Sequence, residues 1–509
     1  MDQSANSKRI AKNTLMLYIR MFFTMIVNLY TSRVILNALG VEDYGIYNAV
    51  GGFVAMFAVI SNSLSAAISR FITFELGKGD KTRINKIFST SVLIQLLIAL
   101  CIVLLTVTLG TWFLNTKMVI PDDRMHAANW VFYLSILTFV INLISVPYNA
   151  CIIAHEQMKA FAYIGILEAV GRLGIAFAIM ISPIDKLVFY ALLMGLLAGG
   201  IRLLYGWYCK RHFEECHFGW VYDKELVKEI FGFAGWNFIG SASGVLKDQG
   251  VNVLLNIFSG PSVNAARAVA TQVSSAVSQF STNFMTALNP QITKSYATNE
   301  REYTFSLICK GARLSFFLLL MLSLPILIET NTILTLWLKI VPDYLVPFTR
   351  LVLVSVLIGS LSQGMITLML ATGDIRKYQL VVGGVVLLDF PLSYLALKLG
   401  LPPTSVFVIS VLISFVCLFL RLKMLKDMVN FPVDEFVKTV LLRVCLVSLF
   451  SLVLPLLVTY FMSASILRFL LNVFVCVFAS AIVVWVIGCT TTERKMLLVK
   501  VKQLLRLEK

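Results

Sequence analysis

The feature that most constrains this chain is a series of apolar stretches, each long enough to cross a lipid bilayer as a helix. A membrane-spanning helix needs about 20 consecutive, mainly apolar residues, and about 14 segments meet this criterion. They cover residues 10–38, 44–69, 87–114, 127–153, 158–181, 187–209, 230–258, 262–289, 307–330, 346–372, 377–397, 403–422, 437–461 and 467–488. The sequence therefore predicts an all-α polytopic membrane protein.

Composition supports this class and argues against others. Of 509 residues, 58% are hydrophobic and only 14% are charged, and the mean hydropathy is +0.85. The connections are too short for a catalytic domain, and the sequence has neither a G-x-x-x-x-G-K-[ST] phosphate loop nor an assembled nucleophile and base. We therefore predict a protein that is not an enzyme and that needs no cofactor or metal.

The net charge of +16 is distributed as the positive-inside rule requires. One set of alternate connections holds about 29 Lys and Arg residues and the other set about 7, counted by that rule. Basic residues beside spans indicate membrane orientation, so we predict no nucleic-acid partner. Both termini are predicted to be cytoplasmic.

Several cations lie inside the apolar segments themselves. They are Arg20, Arg33, Arg172, Arg202, Lys247, Arg267 and Arg443. Burying one such charge at the bilayer centre costs about 3 kcal/mol or more, and intramembrane charges usually face a bundle interior or a watery cavity. The surplus of positive charge therefore predicts a transporter with an anionic substrate.

In the first span, Arg20 shares a helical face with Asn13, Thr24 and Thr31, because separations of four, seven and eleven residues return to similar angles. This face is predicted to line the cavity. Arg33 is rotated away and lies nearer the outer end, so snorkelling to headgroups or pairing with another helix remains an equal alternative to substrate binding.

Polar residues recur in the seventh and eighth spans. They are Asn237, Ser241, Asp248 and Asn252 beside Lys247, and then Arg267, Thr271, Ser274, Ser278 and Ser281. Asp248 either neutralises Lys247 or Arg267 or serves as a proton or sodium site that couples transport to an ion gradient. The hydroxyl stripe suits hydrated sugars, although small residues also let membrane helices pack closely.

Four further charged residues are secondary candidates for ion coupling or charge pairing. Glu168 and Arg172 are one helical turn apart and are expected to form an ion pair, which is more typical of a structural role. Arg202 lies deep in the sixth span, and Asp389 lies in the eleventh.

The substrate-binding residues predicted from the first, seventh and eighth spans are Arg20, Arg33, Lys247, Arg267, Asn13, Asn252, Ser274 and Ser278.

An internal repeat organises the chain. A shift of about 220 residues lays the short outer turn 39–44 on the turn 259–264, and each is followed by a span rich in small polar residues. Because six spans separate the two starts, the repeats have the same orientation and imply a pseudo-two-fold axis along the membrane normal. The predicted parts are a cytoplasmic N-terminus (1–12), a six-helix bundle (13–209), a linker (210–228), a second six-helix bundle (229–422), two further helices (423–490) and a basic cytoplasmic tail (491–509).

The chain resembles the polysaccharide flippases of the multidrug/oligosaccharidyl-lipid/polysaccharide exporter superfamily. The resemblance rests on LGVEDYGIY at residues 39–47, SRF at 69–71 and ELGKGD at 75–80. It implies a MATE-like fold of two bundles facing a central cavity, which alternates between inward and outward access. The implied cargo is a polyprenyl-pyrophosphate-linked oligosaccharide, moved from the cytoplasmic to the periplasmic leaflet of the bacterial inner membrane.

The resemblance also implies membrane lipids as partners, and a polysaccharide polymerase or glycosyltransferases as further candidates. Coupling to H+ or Na+ stays open. The main alternative function is an ion-coupled multidrug exporter of the same superfamily, which would need carboxylates where organic cations bind. A membrane glycosyltransferase or polymerase is a non-transport alternative, but the predicted outer loops are short for one.

Overall fold

The backbone is helical almost throughout, as the apolar segments predict. This computed structural model describes residues 3–55, 57–116, 120–182, 184–219, 223–338, 341–463, 465–490 and 493–494, and these ranges contain no strand. In hydrocarbon, each backbone N–H and C=O must find a partner within its own segment, which a helix provides. The predicted all-α fold class is confirmed.

The first half of the chain forms eight α-helices. They are α1 (Gln3–Ala55), α2 (Ala58–Lys78), α3 (Lys81–Leu105), α4 (Thr111–Thr116), α5 (Met125–Ala154), α6 (Met158–Ala178), α7 (Lys186–His212) and α8 (Lys224–Ala297). A π-helical turn, Thr106–Gly110, joins α3 to α4, and 3-10 turns lie at Asp122–Arg124 and Ile179–Ile181.

The second half forms ten more. They are α9 (Arg301–Ile328), α10 (Thr330–Leu338), α11 (Leu345–Ser360), α12 (Gln363–Thr372), α13 (Arg376–Leu387), α14 (Asp389–Lys398), α15 (Thr404–Val429), α16 (Val433–Phe436), α17 (Leu442–Phe461) and α18 (Ile466–Val483). Single π-helical turns lie at Val437–Leu441 and Val484–Gly488.

Ten of the predicted spans coincide with segments that are long and apolar enough to cross a membrane. Within the described ranges, nine helical segments meet this test singly, and α11 and α12 meet it as a pair bent by 44°. These segments correspond to the ten predicted spans outside residues 10–69 and 230–289. The other four predicted spans fall in α1, α2 and α8. Two of these helices are very long: α1 has 53 residues and α8 has 74.

The two predicted outer turns at 39–44 and 259–264 are wrong, because helical backbone runs through both segments. Tertiary packing explains the difference. Leu39 packs against a buried cluster that contains Ile175 and Ile179, and Val263 belongs to a core that contains Phe348. At 1.5 Å per residue, the 53 and 74 residues of α1 and α8 correspond to about 80 and 110 Å of helix, which is longer than one bilayer crossing requires.

The helices divide into two compact units. The first unit comprises Met1–Ser241 and Thr293–Asn299, and the second comprises Ala242–Ile292 and Glu300–Lys509. Each has its own apolar core, exemplified by Phe132 in the first and Phe348 in the second. The predicted bundle boundaries and the linker at 210–228 remain predictions.

The ELGKGD segment makes the tight connection between α2 and α3. Gly79 adopts φ 82° and ends α2, a left-handed conformation that glycine adopts without strain. Asp80 then begins α3, because its carboxylate accepts a hydrogen bond from the backbone N–H of Arg83. A Cβ on Gly77 would lie 2.8 Å from the Cβ of Ala297, so this position allows a close approach that a larger residue would block.

Candidate functional site

The second unit contains a cavity of about 360 Å³ between α8, α11 and α15. This volume lies within the usual range for small-molecule sites. Its wall combines apolar side chains with a cluster of charged and hydroxyl groups. Polar lining residues include Lys247, Asp248, Arg267, Thr271, Ser274 and Ser410.

Helix α8 supplies most of this polar wall through its helical spacing. Arg267, Thr271 and Ser274 follow at intervals of four and three residues, so they lie on one face. The Thr271 hydroxyl donates to the carbonyl of Ala268 at 2.8 Å, and the Ser274 hydroxyl donates to the carbonyl of Thr271 at 2.9 Å. Each hydroxyl oxygen therefore keeps lone pairs that can accept a hydrogen bond from a ligand.

Arg267 is held by neutral groups. Its Nη2 donates to the backbone carbonyl of Asp248 at 2.8 Å, and its Nη1 donates to Oδ1 of Asn252 at 3.4 Å. Its Nε is buried without a hydrogen-bond partner, and no described carboxylate forms an ion pair with it. The guanidinium is thus positioned by dipoles while its charge remains available to an anion.

Lys247 pairs with a carboxylate on another helix. Its Nζ lies 3.2 Å from Oδ2 of Asp389, which is fully buried. Of the two ion pairs considered for Asp248, the one with Lys247 does not form, because successive residues on a helix point about 100° apart, and no ion pair with Arg267 forms either. The Asp248 carboxylate is exposed and makes no hydrogen bond or ion pair with a described residue.

Two serine hydroxyls complete the surroundings of Asp389. Ser410 donates to its Oδ2 at 2.6 Å, and Ser393 donates to its Oδ1 at 3.2 Å. Lys247 and Ser410 line the cavity, whereas Asp389 lies behind them. The cavity lining therefore presents two cations and one carboxylate, and the buried Asp389 carboxylate behind it balances the second cation.

The rest of the predicted stripe on α8 lies away from the cavity lining. Ser278 is half-buried and donates to the backbone carbonyl of Ser275 at 3.1 Å, and Ser281 is fully buried. Asn252 contributes through its hydrogen bond with Arg267. The stripe thus splits into a half that lines the cavity and a half outside the cavity lining.

In the first unit, Arg20 lies against α6. Its guanidinium carbon is 4.4 Å from the centre of the Phe161 ring, a cation–π contact. A Cβ on Gly165 would lie 2.9 Å from the Arg20 side chain, so this glycine leaves room for the arginine stem. Glu168 instead pairs with Arg172 on the same helix at 2.6 Å, and Arg20 has no ion pair among the described side chains.

The other candidates in the first unit are dispersed. Glu168 and Arg172 line a smaller cavity of about 150 Å³ between α5, α6 and α7. Arg202 stacks on the Tyr148 ring at 3.8 Å. Asn13 is buried and donates to the backbone carbonyl of Glu156 at 3.2 Å, which is a structural contact. The side chain of Arg33 lies outside the described part of the chain, so its predicted role in substrate binding stays a prediction.

Sequence reasoning missed two features. Ser410 carried no distinguishing signal, because it is one of several serines on α15 and its partner Asp389 lies on another helix. Glu156 stands in a short connection, yet its side chain is fully buried between Arg9 and Lys294, at 2.8 and 2.9 Å. An isolated glutamate beside two span ends was the available signal, and its partners are too distant in sequence to identify.

Comparisons with known proteins agree with this fold. A family model described as polysaccharide biosynthesis protein matches residues 10–296. An outward-facing multidrug resistance MATE family transporter of the MOP superfamily gives a TM-score of 0.73 at 12% identity, over 85% of this chain and 96% of its own. A MOP superfamily transporter from Pyrococcus furiosus, whose binding pocket is described as having reverse polarity, also gives a TM-score of 0.73 at 12% identity, over 85% of this chain and 96% of its own.

A MATE structure in a bent conformation gives a TM-score of 0.73 at 13% identity, over 84% of this chain and 96% of its own. No curated protein sequence matches the chain significantly. The solved structures are similar at the level of the fold, which confirms the predicted MATE-like architecture.

Proposed function

We propose that this protein, which belongs to the polysaccharide biosynthesis protein family, is a transporter that flips a polyprenyl-pyrophosphate-linked oligosaccharide across the membrane. The family and the MATE-like fold confirm the resemblance to the MOP superfamily. The finer proposal concerns the cargo, and it rests on the chemistry of the cavity in the second unit.

The observation that carries this proposal is the Arg267 guanidinium in the cavity wall, which forms no ion pair with a described carboxylate. A pyrophosphate bears about two negative charges and cannot enter hydrocarbon without a substitute for its hydration shell. Arginine keeps its charge at physiological pH and can bind two phosphoryl oxygens at once. The neighbouring Lys247 ammonium supplies further donors for the same group.

The hydroxyl groups beside Arg267 suit the sugar part of this cargo. Thr271, Ser274 and Ser410 place oxygen atoms on two helices of the cavity wall. Each can accept a hydrogen bond from a sugar hydroxyl, and such contacts are permissive with respect to sugar identity. Polarity differs among pockets of this fold, since the Pyrococcus furiosus transporter is described as having a pocket of reverse polarity.

We further propose that the protein lies in the bacterial inner membrane with both termini in the cytoplasm and carries its cargo outward by alternating access. H+ or Na+ coupling is part of this proposal as an energy source. A polysaccharide polymerase or glycosyltransferases that make or use the same lipid-linked sugar are the proposed protein partners.

The test is leaflet translocation of a fluorescent polyprenyl-pyrophosphate oligosaccharide in proteoliposomes. Wild-type protein is expected to flip the lipid, Arg267→Ala is expected to lose at least about tenfold in rate, and Arg267→Lys to recover part of it, because lysine lacks the bidentate fork. Lys398→Ala is the matched control, since Lys398 is an exposed cation of the same unit outside the cavity lining.

Two results would overturn the proposal. Full translocation by Arg267→Ala would remove the cationic site from the mechanism. Absence of lipid flipping by the wild type, together with uptake of organic cations, would support the multidrug exporter instead.

A further inference from the structure

We propose that Asp389 is an internal competitor of the substrate anion: it occupies Lys247 in the empty site and must yield that ammonium when a phosphoryl group binds. This inference rests on the proposed function, because it assigns the phosphoryl group to the cavity of the second unit. It identifies Asp389 as a residue that sets the affinity for the anion without lining the cavity.

The position of Lys247 between a cavity and a carboxylate supports this assignment. Its side chain is 21% exposed and lines the cavity, whereas the Asp389 side chain is 0% exposed. An anion that enters can therefore reach the lysine ammonium but not the aspartate behind it. Lysine presents a point charge on a flexible stem, so its ammonium can turn from one oxygen ligand to another.

The surroundings of Asp389 allow it to lose this partner. A buried carboxylate left without any donor would be strongly destabilised. Here the hydroxyls of Ser393 and Ser410 still donate to its two oxygens. Of these two serines, Ser410 also lines the cavity, so it contacts both the cavity and the Asp389 carboxylate behind the lining.

Other charged groups near the pair do not duplicate the role of Asp389. Arg267 is bound by a backbone carbonyl and an amide, and Asp248 is exposed and has no ion pair among the described residues. Asp248 has the same charge as Asp389 and lies one residue from Lys247, but it does not contact the ammonium. The two aspartates therefore separate direct competition from a general electrostatic effect.

This arrangement has a consequence for turnover. Anion binding must break the 3.2 Å contact between Lys247 and Asp389, which weakens affinity. Return of the ammonium to Asp389 then favours release of the anion. A carrier needs both steps, because a site that holds its cargo too tightly cannot release it.

The experiment measures binding of inorganic pyrophosphate to the detergent-solubilised full chain by calorimetry. Asp389→Asn is expected to bind at least about tenfold more tightly than the wild type, since close charge pairs commonly contribute this much. Asp248→Asn, the charge-matched control, is expected to tighten binding by a smaller factor. Lys247→Met is expected to weaken binding, and Asp389→Asn should tighten binding by a smaller factor in a Lys247→Met background than in the wild type, because only its longer-range effect on Arg267 is left.

Each outcome distinguishes this inference from the proposed function. Unchanged or weaker binding by Asp389→Asn, or equal tightening by both aspartate variants, overturns the competition while leaving the anion site in place. No pyrophosphate binding by the wild type, or binding by Arg267→Ala and Lys247→Met at wild-type affinity, overturns both proposals.

A measurement that does not depend on folding of Asp389→Asn is infrared difference spectroscopy. Addition of pyrophosphate is expected to shift a carboxyl band, and that shift should persist in Asp248→Asn. A spectrum without a carboxyl change, or one whose change disappears in Asp248→Asn, contradicts displacement of Asp389.

Discussion

Replacement of Glu156 by Gln should destabilise the first unit strongly, because it leaves a partly buried cation, Lys294, without its counter-ion. The Glu156 side chain is fully buried, and its carboxylate lies 2.8 Å from Nε of Arg9 and 2.9 Å from Nζ of Lys294. Glutamine keeps the shape of glutamate but replaces one acceptor oxygen by an NH2 donor. The substitution therefore removes the charge and one of the two contacts that the carboxylate oxygens accept from Arg9 and Lys294.

The magnitude follows from the burial of each partner. The Lys294 side chain is 17% exposed and the Arg9 side chain is 49% exposed. Breaking a buried pair costs about 3–5 kcal/mol, whereas an exposed pair contributes about 1 kcal/mol or less. We expect a loss of about 3 kcal/mol, mainly from Lys294, which corresponds to a fall in Tm of about 6–12 °C for a unit of this size.

The assay is thermal unfolding of purified protein in detergent, followed by intrinsic fluorescence at one fixed scan rate, because membrane proteins often unfold irreversibly. Glu168→Gln is the matched control: its partner Arg172 is on the same helix, and their side chains are 35% and 45% exposed. This control should lower Tm by about 2 °C or less. Equal Tm values for the two variants would refute the reasoning.

Three further predictions concern stability. Gly77→Ala should lower Tm, because the added Cβ would lie within 3 Å of a facing helix. The control Gly174→Ala should leave Tm unchanged or raise it, because no atom lies within 4 Å of the added Cβ. Equal effects of the two substitutions on Tm would contradict the close packing at Gly77. Burial acts to raise the pKa of Asp185, but hydrogen bonds from Arg124 and two backbone amides of α7 outweigh it and hold that pKa below its ordinary value of 3.8. The stabilisation from ionised Asp185 is present above pH 3.8 and is lost as the pH falls through the lower folded-state pKa. The Tm advantage of the wild type over Asp185→Asn should therefore shrink on acidification below about pH 4. A Tm advantage that stays constant with pH would contradict this prediction. Ser465→Ala should cost about 1 kcal/mol, because the Ser465 hydroxyl accepts a hydrogen bond from the first turn of α18, and Ser465→Asp should restore the lost Tm.

Membrane-length hydrophobicity predicted most of the fold because it records a local requirement. Each span must satisfy its own backbone and present apolar side chains to lipid, so length and composition suffice to find it. The two failures, at residues 39–44 and 259–264, arose where the sequence offers a Gly-containing segment but tertiary packing keeps it helical. Propensity of a few residues is a weak guide when a neighbouring core holds them.

Prediction of the site was partial for a different reason. Helical spacing on α8 placed Arg267, Thr271 and Ser274 together, since these residues are neighbours along one helix. The partner of Lys247 could not be found in this way: Asp389 is more than 140 residues away in sequence, and the adjacent Asp248 offered a simpler but geometrically unfavourable choice. Contacts between helices depend on packing, which a periodic pattern does not encode.

The measurement that tests the central claim most directly is a cryo-electron microscopy structure of the full chain bound to a polyprenyl-pyrophosphate oligosaccharide. The account predicts phosphoryl density within hydrogen-bonding distance of the Arg267 guanidinium and the Lys247 ammonium, with sugar density beside Thr271 and Ser274. Phosphoryl density bound elsewhere, with Arg267 still held only by Asp248 and Asn252, would contradict it.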